Sequence, residues 1–160
     1  MTTVYLSLGS NVGDRPQNLR TAIAALDDAG VQMRRISKIY ETEPVDYLEQ
    51  DWFLNCVVEG ETALAAAELL QGLRRIEKKM GSAKAFAKGP RIIDLDILYF
   101  ADAVINSMGL QIPHPRLADR RFVLVPLAEI APGLRHPVTQ QTSAGMLLAT
   151  SDRSAVRETQ

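Results

Sequence analysis

A single cysteine, Cys56, in a chain of 160 residues leaves no partner for an internal disulfide. It sits in the apolar run "FLNCVV", where a buried, unreactive thiol is expected, and it fits a reducing compartment. An excess of one charge is missing too. Lys and Arg number 18 against 19 Asp and Glu, so the net charge is −1 and no broad basic face advertises a nucleic-acid partner. No apolar run approaches the ~20 residues of a membrane helix, which excludes a membrane partner of that kind. The opening "MTTVYLSLGS" lacks the basic and apolar regions of a secretory signal, so a cytoplasmic protein is expected. Repeats and low-complexity tracts are absent. What is present is ordinary for a globular chain, 46% hydrophobic and 23% charged residues, enough for one domain over 1–160 with a real core.

Periodicity gives the order of elements. "TVYLSL" (Thr3–Leu8) has strand composition. Asp14 opens a helix, with Pro16 in its first turn, Gln17 at capping-box spacing, a stripe of Leu19, Ile23 and Leu26, and Gly30 past its end. Val31–Thr42 reads as one strand of imperfect alternation and Phe53–Thr62 as another. Residues 63–80 carry the clearest helical stripe, Leu69, Leu73, Ile76 and Met80, before Gly81. "RIIDLDILYF" is the next strand. This order predicts an α+β fold with a ferredoxin-like βαββαβ core, an antiparallel sheet with helices packed on one face. A C-terminal extension follows, with a Pro-rich turn "IPHPRL", an apolar segment 122–130 and a short helix near 143–150. Residues 152–160 are polar and expected to fray.

Within "RIIDLDILYF" stand Asp94 and Asp96, with only Leu95 between them. Residues two apart in a strand share a face, about 6.6–6.8 Å apart along the chain. At an effective dielectric near 20 their repulsion is on the order of 2–3 kcal/mol. One account is a solvated edge strand with its charges paired to Arg91 or Lys88. The other is a divalent-cation site, since Mg²⁺ takes one or two carboxylates together with substrate phosphates. "LGSNVGD" (Leu8–Asp14), between the first strand and helix, is either a plain turn or a presenter of backbone N–H groups to an anion or ring. It is not a phosphate-binding loop of the Gly-Lys-Ser/Thr kind. "GSAKAFAKGPR" and "HPRLADRRF" add Lys84, Lys88, Arg91, His114, Arg116, Arg120 and Arg121, cations suited to polyphosphate if they flank the carboxylates. Phe53 and Phe122 are core residues by default, or the two sides of a slot for a flat ring. Asn55 shares the strand face of Phe53 and could read that ring's edge. Glu77, one residue off the helical stripe, has a surface role by default.

Taken together, "LGSN", "GPRIIDLDIL" and "IPHPRLADRRFVLVPLAEIAP" closely resemble the 6-hydroxymethyl-7,8-dihydropterin pyrophosphokinase family, in the family's order and over most of the chain. The resemblance implies transfer of the diphosphate of ATP to the pterin's hydroxymethyl group, with release of AMP, in folate biosynthesis. It implies that Asp94 and Asp96 hold two Mg²⁺ ions, with ATP as co-substrate. On the pterin side it implies Gly9, Ser10, Asn11, Thr42, Pro44, Val45, Phe53, Asn55 and Phe122. At the ATP site it implies Glu77, Lys84, Lys88, Arg91, Ile97, His114, Arg116 and Arg120, with Arg91 and Lys84 joining the aspartates in catalysis. A monomer acting on small molecules is expected, its loops 45–51 and 82–88 closing over the ligands. Three positions depart from the family: Ser82 where an arginine is common, Lys88 where a tryptophan is common, and Pro115 where a tyrosine can occur. Two rivals stand beside this reading. A nucleotidyltransferase also uses a Gly-Ser turn and an Asp-x-Asp strand, but keeps them close, whereas Gly9 and Asp94 lie far apart here. A ferredoxin-like binding domain would need no metal to bind nucleotide.

Overall fold

The structure, a computed structural model, describes residues 1–82 and 89–159. The first hundred positions carry strand β1 (Thr2–Ser10), helix α1 (Arg15–Asp28), strands β2 (Val31–Ile36), β3 (Tyr40–Thr42) and β4 (Phe53–Thr62), helix α2 (Ala66–Lys79) and strand β5 (Asp94–Phe100). This is the α+β order read from the sequence, with its second strand broken in two. The break falls at Ser37, whose N–H donates to the Val57 carbonyl at 2.9 Å and whose hydroxyl accepts from the Val57 N–H at 2.9 Å. A side chain there does what ladder bonds do in a continuous strand, which accounts for the imperfect alternation. At α1, Asp14 accepts from the Gln17 N–H at 3.2 Å with Pro16 in the first turn. The Gln17 amide turns to Thr21 instead of closing the box. Gly30, at φ +98°, follows as the residue that leaves the helix in the left-handed region.

The remainder comprises a hairpin of β6 (Ile105–Ser107) and β7 (Leu110–Ile112), helices α3 (Arg121–Ile130) and α4 (Ser143–Ala149), and strand β8 (Val156–Glu158). The main sheet is antiparallel throughout, in the order β5-β1-β4-β3-β8, with β2 also on β4. Among the described residues no helix is long and apolar enough to cross a membrane.

The sheet has helices on both faces, not one. Val4, Leu6 and Leu8 of β1 and Leu95 and Ile97 of β5 pack with α1 and α2 through Leu19, Leu26, Leu69 and Leu73. On the opposite face Tyr5, Val57 and Tyr99 pack with Val123, Leu124 and Leu127 of α3 and Met146 of α4. Helix α3 lies between the sheet and α4, so it is apolar nearly all round and shows no stripe. Pro126 within it hides the pattern further. Several boundaries move inward: α2 runs from Ala66 to Lys79 rather than over 63–80, β5 starts at Asp94 rather than Arg91, and α4 ends at Ala149. The tail expected to fray is instead strand β8, paired with β3 in the register Tyr40↔Glu158 to Thr42↔Val156. Its composition is polar because one face is solvent; what orders it is the open edge of β3.

Burial of ionisable groups in these cores sets the alkaline limit of stability. Burial pushes the Cys56 thiol and the Tyr99 phenol up to about 12 each. Burial, and then the bond it donates to Glu59, raise Tyr5 to about 12. These groups keep their protons in the folded chain and lose them near pH 9–10 when unfolded. Their contribution is therefore complete below pH 9 and lost as pH rises towards 12. Melting temperature should fall progressively in a pH series from 8.5 to 11; a flat profile would show that these groups ionise as readily in the folded chain.

Candidate active site

The site grows out of one row across the sheet. Asp94 of β5 pairs with Gly9 of β1, Gly9 with Asn55 of β4, and Asn55 with Tyr40 of β3. Asn55 shares its face with Phe53, and Asp94 with Asp96, by the two-residue alternation of strands. Gly9 must lack a side chain, since a Cβ there would stand 2.5 Å from the Asn55 Oδ1. The Asn55 amide is fixed from the other side by the bond it donates to Thr42 Oγ1 at 2.7 Å. Past the N-terminus of α3 no described element covers this face of the sheet. A cavity of about 430 Å³ opens there, lined by Thr42, Phe53, Asn55 and Phe122 and by Arg91, Asp94, Asp96, His114 and Arg120. Gly9, Glu43, Val45, Asp46 and Gly89 complete its wall. A flat ring's chemistry and a polyphosphate's chemistry thus adjoin in one space.

Helix α2 holds the aspartates from behind. Strand β5 is a sheet edge, and its backbone groups at Leu95 need partners. Glu77 accepts from the Leu95 N–H at 2.8 Å and Arg74 donates to the Leu95 carbonyl at 2.8 Å. Arg74 also donates to Glu77 at 2.8 Å and stands 3.7 Å from Asp96. Two helix side chains therefore stand in for a missing strand at the residue between the two aspartates. Glu77 is 5% exposed, a buried tether rather than the surface residue its position suggested.

The cationic wall is built from buried groups. Arg91, 5% exposed, is fixed by exchange with Asn11: its N–H donates to Asn11 Oδ1 at 2.8 Å, and its carbonyl accepts from the Asn11 N–H at 3.0 Å. The Arg91 guanidinium donates to the carbonyls of Gly89 and Pro90. Arg120 has a buried Nε with no hydrogen-bond partner among the described residues. Burial, and after it the charge of Arg116, push its guanidinium down against the pull of Asp96 and Asp94. That is an expensive place for a cation in the empty protein. Burial, then Arg120, also drive the His114 imidazole down to about 4, so it is neutral at pH 7. Its Nδ1 accepts from the Arg116 N–H at 3.1 Å, which leaves the ring proton on Nε2.

Not every residue expected at the site lines this cavity. Ser10 is fully buried and its hydroxyl accepts from Asn18 of α1 at 3.1 Å, so it faces away from the cavity. Asn11 lies behind the wall, stapling Arg91 to the loop 45–51 through bonds to Gln50 Oε1 and the Asp51 carbonyl, each 2.9 Å. Pro44 lines a neighbouring hollow, and Arg116 is turned to Asp46, its ion pair at 3.3 Å. Ile97 lines a second cavity of about 320 Å³ with Leu70, Arg74, Gln111 and Pro115, which shares Asp96 and His114 with the first. Lys84 and Lys88, and the loop 82–88 beyond Ser82, fall outside the described residues. Ser82 donates to the Ile93 carbonyl at 2.6 Å and pins the approach to β5. Arg74, Leu70 and Gln111 were not singled out from the sequence; only Arg74 left a trace there, an i,i+3 pair with Glu77.

Paired carboxylates, buried cations and aromatic rings around one cavity define a class, a small-molecule phosphotransferase site. The comparisons with known proteins then narrow it. Residues 5–132 match the family model for 7,8-dihydro-6-hydroxymethylpterin-pyrophosphokinase, and the chain belongs to that family. It is similar to the 2-amino-4-hydroxy-6-hydroxymethyldihydropteridine pyrophosphokinase of Bacillus subtilis, 44% identical over 154 residues, 96% of this chain and 87% of that one. It also resembles the folic acid synthesis protein fol1 of Pneumocystis carinii, 44% identical over 136 residues. That match takes in 85% of this chain but spans only 18% of fol1. The wild-type HPPK-DHPS structure of Plasmodium falciparum shares the fold, with a TM-score of 0.70 at 16% identity over 92% of this chain and 43% of that one.

Proposed function

We propose that the chain transfers the diphosphate of ATP to the hydroxymethyl group of 6-hydroxymethyl-7,8-dihydropterin, releasing AMP, as one pyrophosphokinase domain in the cytoplasm. The observation that carries this is the single cavity in which Phe53, Asn55 and Phe122 meet Asp94, Asp96, Arg91 and Arg120, in a chain of this family. The pterin ring lies between Phe53 and Phe122, its edge read by the Asn55 amide and its face close to Gly9. The nucleotide occupies the adjoining cavity, its base against Leu70 and Ile97, its phosphates running towards the cations. The described lining of the cavity comes from one chain, which supports the reading of a monomer.

The carboxylates fit magnesium. Among the described residues no three or more His, Cys, Asp or Glu cluster, but Mg²⁺ needs only one or two carboxylates when phosphates and water supply the rest. Asp94 and Asp96 would hold it, two ions in all, and bound there it would neutralise phosphate charge. The remaining work falls to the chain. The pterin hydroxymethyl oxygen attacks the β-phosphorus while the bond to the α-phosphate oxygen breaks and AMP departs. Arg91 and Arg120 draw the phosphate oxygens into line and stabilise the charge that builds on them. His114, neutral, donates a hydrogen bond from Nε2 to a phosphate oxygen. No side chain serves as an obvious base, and positioning with charge neutralisation suffices for phosphoryl transfer.

Two measurements bear on this reading. Nucleotide titration should give tight binding with magnesium and binding weaker by at least tenfold without it; a binding domain would show no such difference. Phe122→Ala should weaken pterin binding by roughly 1–3 kcal/mol through lost stacking and burial, leaving ATP affinity nearly unchanged. A variant that lost ATP and kept pterin would turn the assignment of the two cavities around.

A further inference from the structure

The C-terminal segment lies beyond the residues 5–132 that match the family model, yet it touches both walls of the first cavity. On one side β8 pairs with β3, the strand that carries Thr42. Just past that ladder Glu43, which lines the cavity, accepts from the Ala155 N–H at 2.7 Å and returns its own N–H to the Ala155 carbonyl at 3.1 Å. On the other side Asp152 Oδ2 accepts from the Arg121 N–H at 2.8 Å. Its Oδ1 accepts from the N–H of Ser154 at 2.9 Å and from the Ser154 hydroxyl, and Arg121 Nη1 donates to the Ser154 carbonyl at 3.0 Å.

Arg121 begins α3, and the first turn of that helix presents Arg120 and Phe122 to the cavity. The residue at the cap position is Arg120 itself, whose side chain has donors only and makes no capping bond. A helix start needs an acceptor for its orphan N–H groups, and a carboxylate there also meets the positive end of the helix dipole. Asp152 supplies both from far along the chain. Arg120 is thereby released from capping and left to face the cavity.

We propose that Asp152 is a positioning residue: it caps α3 from the C-terminal strap and so sets Arg120 and Phe122 against the pterin-side wall formed by Thr42 and Glu43. This rests on the reading of that cavity as the pterin site. The strap spans a hollow whose lining includes Glu43, Val45, Asp46, Arg120 and Asp152, so a shift of its end moves both walls relative to each other. Loss of the cap lets the first turn of α3 fray, which spoils the ring slot before it disturbs the rest of the fold.

The test compares Asp152→Ala and Asp152→Asn with Thr142→Ala, which removes the cap of α4, a hydroxyl accepting from the Gly145 N–H at 3.0 Å, away from the cavity. Melting temperature, pterin affinity and affinity for a magnesium complex of a non-hydrolysable ATP analogue are measured for each. Asp152→Ala should weaken pterin binding about tenfold and analogue binding less than twofold, with Asp152→Asn recovering most of the loss because its amide oxygen can still cap. Thr142→Ala should lower the melting temperature comparably and leave pterin affinity unchanged. Unchanged pterin affinity in Asp152→Ala, or an equal loss in Thr142→Ala, overturns the proposal. If Asp152→Ala does not fold, Asp152→Asn decides, with a measurable loss of pterin affinity expected and none contradicting. A parent chain that binds no pterin sinks the proposed function instead. The positioning claim is then read on amide exchange of Arg121 and Phe122, which must quicken in the Asp152 variants and not in Thr142→Ala.

Discussion

Turnover should fall by roughly a thousandfold or more in Asp96→Asn and in Asp94→Asn if these carboxylates hold magnesium as proposed, because a metal's stabilisation of the transferring group is worth several kcal/mol. Stability should barely move. The two carboxylates share one face of an edge strand, and removing one relieves their repulsion. Against that stands the partner Asp96 loses: it is 3.7 Å from Arg74, a half-exposed pair of the kind that contributes at most ~1 kcal/mol. Had the pair served only to solvate the edge, the same substitutions would leave catalysis intact. Thermal melts of the metal-free variants paired with turnover over a magnesium series separate the two, and full activity in Asp96→Asn would remove the metal site from the account.

The second large effect is expected at Arg120. Replacing it by Gln should cut turnover by about 10²–10³-fold, the usual consequence of removing one donor from a developing oxyanion. In the ligand-free protein this variant should be at least as stable as the parent. The guanidinium is pushed towards its uncharged form by burial and by Arg116, and its Nε is buried with no acceptor among the described residues. Those are costs that an ATP phosphate would offset and a neutral side chain would not incur. A variant destabilised by several kcal/mol with near-normal turnover would mean that Arg120 serves the fold and not the phosphates.

How much of this was legible in the sequence follows from the range of the interactions involved. Strand alternation put Asp94 with Asp96 and Phe53 with Asn55 on common faces, and the sheet then set both pairs on the same side. Helices α1 and α2 could be read because each buries one stripe. Helix α3 could not, since burial on two sides erases the period and leaves only an apolar run. Strand β8 is three residues of mixed polarity whose order comes from the edge of β3, more than a hundred residues earlier in the chain. Glu77 read as helix surface, and Arg74 drew no reading at all, because their partners are backbone groups of Leu95, which no side-chain pattern records. Ser10 and Asn11 belong to a turn that the resemblance places beside the ring. Strand alternation sends Ser10 to the α1 side, and Asn11 bonds to Arg91 and to the loop 45–51, so their work is to hold the wall in place.

The most direct measurement is identification of the nucleotide product when the purified chain is incubated with MgATP and 6-hydroxymethyl-7,8-dihydropterin. AMP should appear in step with pterin diphosphate, and neither should form without the pterin. Release of inorganic pyrophosphate with the adenylate left on the pterin would instead mark attack at the α-phosphorus by a nucleotidyltransferase, and absence of any product from the folded chain would contradict the account outright.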